Sequence, residues 1–193
     1  MAPRQPGFFE SNVPDGFLYR DDFIAHDEEA SPTADIAQVD YSNFEMRGVV
    51  ARRRVAFFGQ SYDSTSGVTP PIPEFLKPLR ARIAEWAGVE PGAFAMSLIN
   101  EYPAGAPIGW HRDAPQYDIV AGVSLLSACR MKFRPYVSPG DVRSAGQKRA
   151  STHEVLLERR SAYVMTAAAR NAYEHHIPAV AALRYSITFR TLR

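Results

Sequence analysis

Between residues 44 and 58 the apolar β-formers Val49, Val50, Val55, Phe57 and Phe58 surround the run Arg52-Arg53-Arg54, and Gly59 ends the stretch. Such clustering predicts a strand or hairpin. Further on, Phe75, Leu76, Leu79, Ile83 and Trp86 recur at spacings of three and four until Gly88. This pattern predicts a helix with Pro73 in its first turn, although Pro78 then falls inside the opening turns. β-like runs follow at 95–102, 119–126, 130–136, 152–157, 162–166 and 184–190, separated by Gly and Pro turns. The first forty or so residues lack a sustained period, but Gly16-Phe17-Leu18-Tyr19 before Asp22-Phe23-Ile24 can form a short strand. Residues 61–73, rich in Ser, Gly and Pro, read as a loop, and loops of that length beside a site often act as lids. Many short strands with one strong helix predict a mainly β sandwich or jelly roll with a flanking helix.

Composition narrows the picture without naming a task. A chain of 193 residues can bury one sizeable core, so a single active site is expected. The 22 basic and 21 acidic residues nearly cancel, and nothing in the net charge requires a polyanionic partner. The lone Cys129 has no second cysteine to pair with and sits in an apolar stretch, which fits a small buried hydrophobe in a reducing cytoplasm. No apolar run approaches the roughly 20 residues that span a bilayer, and the opening residues lack the apolar centre of a signal peptide. A cytoplasmic protein that does not meet the membrane is the expectation.

The candidate chemistry begins at His111-Arg112-Asp113. On an extended chain His111 and Asp113 share a face while Arg112 points away, so two ligand types converge. A distant imidazole would complete the arrangement of two histidines and one carboxylate that leaves one side of an octahedral Fe(II) open. His175 and His176 are the candidates, and adjacent strand positions cannot both face one metal. His-x-Asp alone is common and carries little, since a solvated surface pair is the ordinary reading.

Its context carries more. Asn100-Glu101-Tyr102 stands about ten residues before it, and Arg184-Tyr185-Ser186-Ile187-Thr188-Phe189-Arg190 follows His175. Asn-x-Tyr, His-x-Asp, a His two residues before an Ile, and Arg-x5-Arg in the last strand occur here in order. From about residue 44 to 190 the sequence resembles the AlkB-like branch of the Fe(II)/2-oxoglutarate dioxygenases.

That resemblance implies a double-stranded β-helix, a cupin-like jelly roll, over residues 44–193, with an N-terminal arm over 1–43 packed on the core. It implies that His111, Asp113 and His175 bind Fe(II), with His175 preferred because His175-His176-Ile177 looks like the family's His-x-Ile. It further implies 2-oxoglutarate and molecular oxygen as cosubstrates. Arg184 would hold the distal carboxylate with Tyr102 assisting, and Arg190 and Asn100 would lie near the chelating end. Arginine suits the task because its planar fork pairs with a carboxylate through two hydrogen bonds.

Many proteins resembling this family demethylate alkylated DNA or RNA bases, hydroxylating the methyl carbon so that formaldehyde is shed. That is the activity expected here, with a lid over residues 57–73. Phe57, Phe58 and Tyr62 beside the arginine run are the candidate substrate residues, since aromatic faces stack on an extruded base. Against this stands Ala114-Pro115, where nucleobase-repair members carry an acidic residue just after the iron aspartate. The alternatives are an AlkB-like hydroxylase or demethylase of a protein or small molecule, and a non-catalytic binding module on the same fold. A zinc hydrolase would use the same histidines but leave Arg184, Asn100 and Tyr102 without a role.

Overall fold

The computed structural model describes residues 13–46, 48–60, 69–138 and 152–193. Two antiparallel sheets face each other. The larger contains, in spatial order, β1 (Phe17–Arg20), β9 (Ala162–Met165), β6 (Tyr117–Leu125), β11 (Arg184–Leu192), β4 (Met96–Tyr102), β3 (Val49–Gly59) and β2 (Ser42–Met46). The smaller is ordered β5 (Ile108–His111), β10 (Tyr173–Ile177), β7 (Cys129–Pro135) and β8 (His153–Leu157). Strands consecutive in the chain alternate between the sheets from β4 to β7, as a jelly roll requires.

Register decides which side chains look inward. On β11, Arg184, Ser186, Thr188 and Arg190 lie opposite Tyr102, Asn100, Leu98 and Met96 of β4, while Ser186, Thr188 and Arg190 oppose Ser124, Gly122 and Val120 of β6. Directly opposed residues share a face, so one polar row runs through the middle of the larger sheet toward the smaller one. The odd-numbered positions, Tyr185, Ile187 and Phe189, join Ala56, Phe58, Ile99 and Val123 on the outer face. There they pack against Ile36 of α1 (Ala30–Ala37), Ile83 and Ala84 of α2 (Lys77–Ala87), Leu76 and Phe94. Between the sheets lies a second core of Phe17, Tyr102, Val120, Met131, Phe133, Leu157, Tyr163 and Ile177. Gly122 lets this core close: a Cβ there would stand 2.4 Å from the Tyr163 ring. Gly59, at φ +81°, turns the chain out of β3 where a Cβ would meet the Ala95 carbonyl oxygen at 2.3 Å.

The jelly roll with a flanking helix is as expected, and several local features differ from the sequence pattern. A 3-10 turn over Glu74–Leu76 precedes the helix, so α2 starts at Lys77 and Pro78 occupies its first turn, where a missing N–H costs nothing. Helix α1 has Pro32 in its first turn and one buried apolar residue, Ile36, too little to create a period. Its N-cap Glu29 is buried and ties the arm down, accepting from Leu126 N at 2.8 Å and Arg159 Nε at 2.6 Å. The short helix α3 (Ala167–Asn171) and strands β5 and β10 likewise lack an apolar alternation strong enough to announce them. Among the described residues no helix is long and apolar enough to cross a membrane.

Candidate metal centre

Strands β5 and β10 pair so that His111 and His175 stand directly opposite each other, their rings 4.2 Å apart between centroids. His111 Nδ1 lies 2.8 Å from the Gly109 carbonyl oxygen. A neutral imidazole donating there leaves its Nε2 lone pair free for a metal. His175 is buried, with Nε2 at 3.7 Å from Asp113 Oδ2. Its neighbour His176 turns the other way, with Nδ1 2.6 Å from the Ile108 carbonyl oxygen and its ring stacked on Trp110. Strand alternation thus separates the two histidines as expected.

Asp113 lies two residues beyond the end of β5, so the strand does not aim it; Arg190 does. Arg190 donates through Nε at 2.9 Å and Nη2 at 2.7 Å to the single oxygen Oδ1, and through Nη1 at 3.0 Å to Thr188 Oγ1. The other carboxylate oxygen is left toward His175. Burial would raise the pKa of Asp113, but the positive charge of Arg190, with His175 and His111, outweighs it and holds the carboxyl below the ordinary carboxylate range. Burial pushes His175 down to about 3, with His111 adding to the effect, and burial lowers His111 as well. One ionised carboxylate and two neutral imidazoles are the protonation states a divalent metal needs. Among the described residues these groups converge without closing to the dimensions of a formed metal cluster.

Along the same inward row lies Arg184, with none of its surface exposed. Its Nε donates to Ser124 Oγ at 2.9 Å, whereas Nη1 and Nη2 are buried with no hydrogen-bond partner. Its guanidinium carbon stands 5.2 Å from the centre of the Tyr102 ring. Burial raises the pKa of the Tyr102 phenol, with Arg184 and Arg53 opposing, so it stays protonated and able to donate. A buried cation with two unmatched donors is costly unless an anion completes it. The donor set therefore fits a dianion lying between Arg184 and a metal held by the histidines and Asp113.

Arg53 stands near the candidate site, where its charge acts on His111 and Tyr102, and the sequence pattern hid it. It is buried, stacks over Phe44 at 4.2 Å, and places Nε 3.3 Å from Asn100 Oδ1. Burial lowers its pKa. Arg54 faces outward in a bidentate pair with Glu101, at 2.8 Å for each bond. The alternation of Arg52-Arg53-Arg54 between faces was readable; which face belonged to the site was not. The same alternation divides the candidate aromatics. Phe58 is a core residue packed among Ile83, Phe94 and Ile99 and is unavailable to a substrate, which corrects its assignment. Phe57 stays partly exposed beside Val55, Leu98 and Tyr117 on the inner side. Tyr62, and residues 61–68 of the expected lid, lie outside the described residues.

The family model for the 2OG-Fe(II) oxygenase superfamily matches residues 34–190, and the chain belongs to that superfamily. Membership makes it an oxidoreductase of the dioxygenase class. Its likenesses include AlkB homologues. It is 28% identical over 187 residues to the alkylated DNA repair protein ALKBH8 homolog of Arabidopsis thaliana, covering 88% of this chain and 52% of that protein. The chain thus spans about half the length of the curated relative it matches. Among solved structures, OsALKBH1 superposes with a TM-score of 0.65 at 15% identity, covering 91% of this chain and 98% of that one. A Pseudomonas putida prolyl-4-hydroxylase gives 0.60 at 14% identity, covering 92% and 93%. These two likenesses concern the fold.

Proposed function

We propose that the chain is an AlkB-like dioxygenase that oxidatively demethylates alkylated nucleic-acid bases, with His111, Asp113 and His175 as the Fe(II) ligands and Arg184 with Tyr102 as the anchor of 2-oxoglutarate. The observation that carries the cosubstrate reading is Arg184, a wholly buried guanidinium with two unmatched nitrogens in the same inward row as Arg190, which holds Asp113. Bound Fe(II), 2-oxoglutarate and dioxygen supply the oxidising power, with 2-oxoglutarate leaving as succinate and carbon dioxide.

The residues of this chain orient and exclude. Arg190 holds Asp113 ionised and spends its donors doing so, which makes it a positioning residue for the metal ligand rather than a direct hold on the cosubstrate. Asn100, whose oxygen already lies against Arg53, keeps its amide N–H groups for the chelating end. Phe57 offers an apolar face at the mouth of the site, and Arg53 a nearby charge. Hydroxylation of an N-methyl carbon adds one oxygen atom, and the product then splits into formaldehyde and the bare base. Support for a nucleobase comes from Phe57, from the similarity to an alkylated DNA repair protein, and from the match of motif order. Buried, unpaired Cys129 suits the reducing cytoplasm in which we place the protein. The test is succinate formation stimulated by a panel of methylated oligonucleotides, methylated or proline-containing peptides, and small N-methyl compounds. Stimulation by peptides alone would overturn the nucleic-acid assignment and leave the dioxygenase assignment standing.

A further inference from the structure

Beside Asp113 opens a cleft of about 520 Å³ with an unusual charge arrangement. Three arginines line it, Arg112, Arg170 and Arg193, together with Tyr136, Asn171 and Glu174. Its two carboxylates are already matched by arginines from outside: Asp113 by Arg190 at 2.7 Å and Glu174 by Arg134 at 2.7 Å. The lining arginines are held mainly by neutral oxygens instead. Arg112 Nη1 donates to the Asn171 carbonyl at 3.3 Å and its guanidinium lies 3.7 Å over the Tyr136 ring. Arg170, itself buried, donates through Nη2 to the carbonyls of Ala114 at 2.6 Å and Tyr117 at 2.7 Å, and its Nε has no partner. Arg193 donates to the Pro115 carbonyl at 2.8 Å and to Asn171 Oδ1 at 2.7 Å, with Asp118 only distant at 3.8 Å.

Among the described residues no carboxylate comes within ion-pair reach of Arg112 or Arg170, so the cleft keeps a surplus of positive charge. Neutral acceptors fix each guanidinium in place without cancelling it, which is how a fold prepares arginines for an anion that arrives later. Asn171 holds both exposed forks, Arg112 through its carbonyl and Arg193 through its side chain, and so sets their separation. Asp113 itself lines the cleft, so the cleft adjoins the candidate metal site.

We propose that this cleft is an anion subsite that takes a backbone phosphodiester of the nucleic-acid strand next to the base being oxidised. The inference rests on the nucleic-acid reading above. A strand carries anions at a regular repeat and can satisfy several fixed arginines in succession, which an isolated carboxylate cannot.

The test is the salt dependence of binding of a labelled single-stranded methylated oligonucleotide to the full chain, loaded with Mn(II) and 2-oxoglutarate without oxygen and followed by fluorescence anisotropy. For single strands each phosphate contact contributes about 0.7 to the slope of log K against log salt. The slope is expected to fall by about that amount in Arg112→Gln and about twice that in Arg112→Gln/Arg193→Gln, while Arg112→Lys keeps most of it. Both positions are exposed, Arg193 with Asp118 at 3.8 Å as its one carboxylate among the described residues, and an unchanged melting transition separates lost binding from lost folding; if Arg112→Gln fails to fold, Arg193→Gln alone carries the measurement. Oligonucleotide binding by the parent chain with no change of slope in any variant overturns the subsite and leaves the nucleic-acid reading intact. Absence of oligonucleotide binding by the parent chain overturns both, as does Arg112-dependent binding of an acidic peptide in its place.

Discussion

Replacing Arg184 by Met separates two contributions that a buried arginine usually confounds. In the ligand-free protein the substitution loses the Nε bond to Ser124, a charged hydrogen bond of about 1.5–3 kcal/mol, and a desolvated contact with the Tyr102 ring of up to about 2 kcal/mol. It also removes two buried nitrogens without partners, each costing about 1–3 kcal/mol as they stand. The terms oppose each other, so ligand-free stability should stay within about 2 kcal/mol of the parent. Breaking a buried pair outright would instead cost about 3–5 kcal/mol. Adding 2-oxoglutarate at a hundred times its Kd, with redox-inert Mn(II) present, should stabilise the parent by about 2.7 kcal/mol. At this chain length that is a rise of about 5–11 °C in melting temperature. Arg184→Met should show almost none of this rise, and Arg184→Lys, with a charge but no fork, only part of it. The assay is thermal unfolding with and without 2-oxoglutarate, monitored by circular dichroism. A variant that loses more than about 4 kcal/mol ligand-free and still shows the full rise would refute the reasoning, because Arg184 would then be a structural residue already satisfied by the fold.

Two further outcomes follow from the packing around the site. Asp113→Ala should abolish saturable Co(II) binding in calorimetry and destabilise the metal-free protein by about 3–5 kcal/mol, since Arg190 is left buried without its carboxylate; undiminished Co(II) affinity would remove Asp113 from the ligand set. Gly122→Ala drives a Cβ into the Tyr163 ring in the middle of the larger sheet and should cost about 1–3 kcal/mol in urea denaturation, whereas a change below about 0.5 kcal/mol would mean that the sheet yields there freely.

The strands of the larger sheet were legible because one face of each is apolar core, and β-branched or aromatic residues mark that face in the sequence. β5 and β10 were not, for a reason tied to their task. Ile-Gly-Trp-His and Tyr-Glu-His-His-Ile give up apolar positions to the candidate ligands, so their periodicity is faint where their chemistry is densest. His-x-Asp predicted that His111 and Asp113 would converge, but by strand alternation; in the fold the strand stops at His111 and Arg190, 77 residues away from Asp113 in the chain, aims the carboxylate. Arg53 escaped notice because a run of three arginines looks like solvated charge until Asn100 and Phe44 are known to flank its middle member. Phe57 and Phe58 look alike in the sequence, yet consecutive strand positions serve opposite faces, Phe58 in the outer core and Phe57 on the inner side.

Strand β1 gives the N-terminal segment a duty beyond covering the core. By pairing residue for residue with β9, from Phe17 opposite Met165 to Arg20 opposite Ala162, it occupies the backbone donors and acceptors that β9 would otherwise present at the rim of the larger sheet. A chain begun near residue 44 would keep every candidate metal and cosubstrate group, yet it would bare that rim and release Arg159 from Glu29. Unpaired rims of this kind invite strands from neighbouring molecules. The segment farthest in sequence from the chemistry therefore carries the edge of the larger sheet in place of β9, and shortened versions of the protein should be less soluble than the parent.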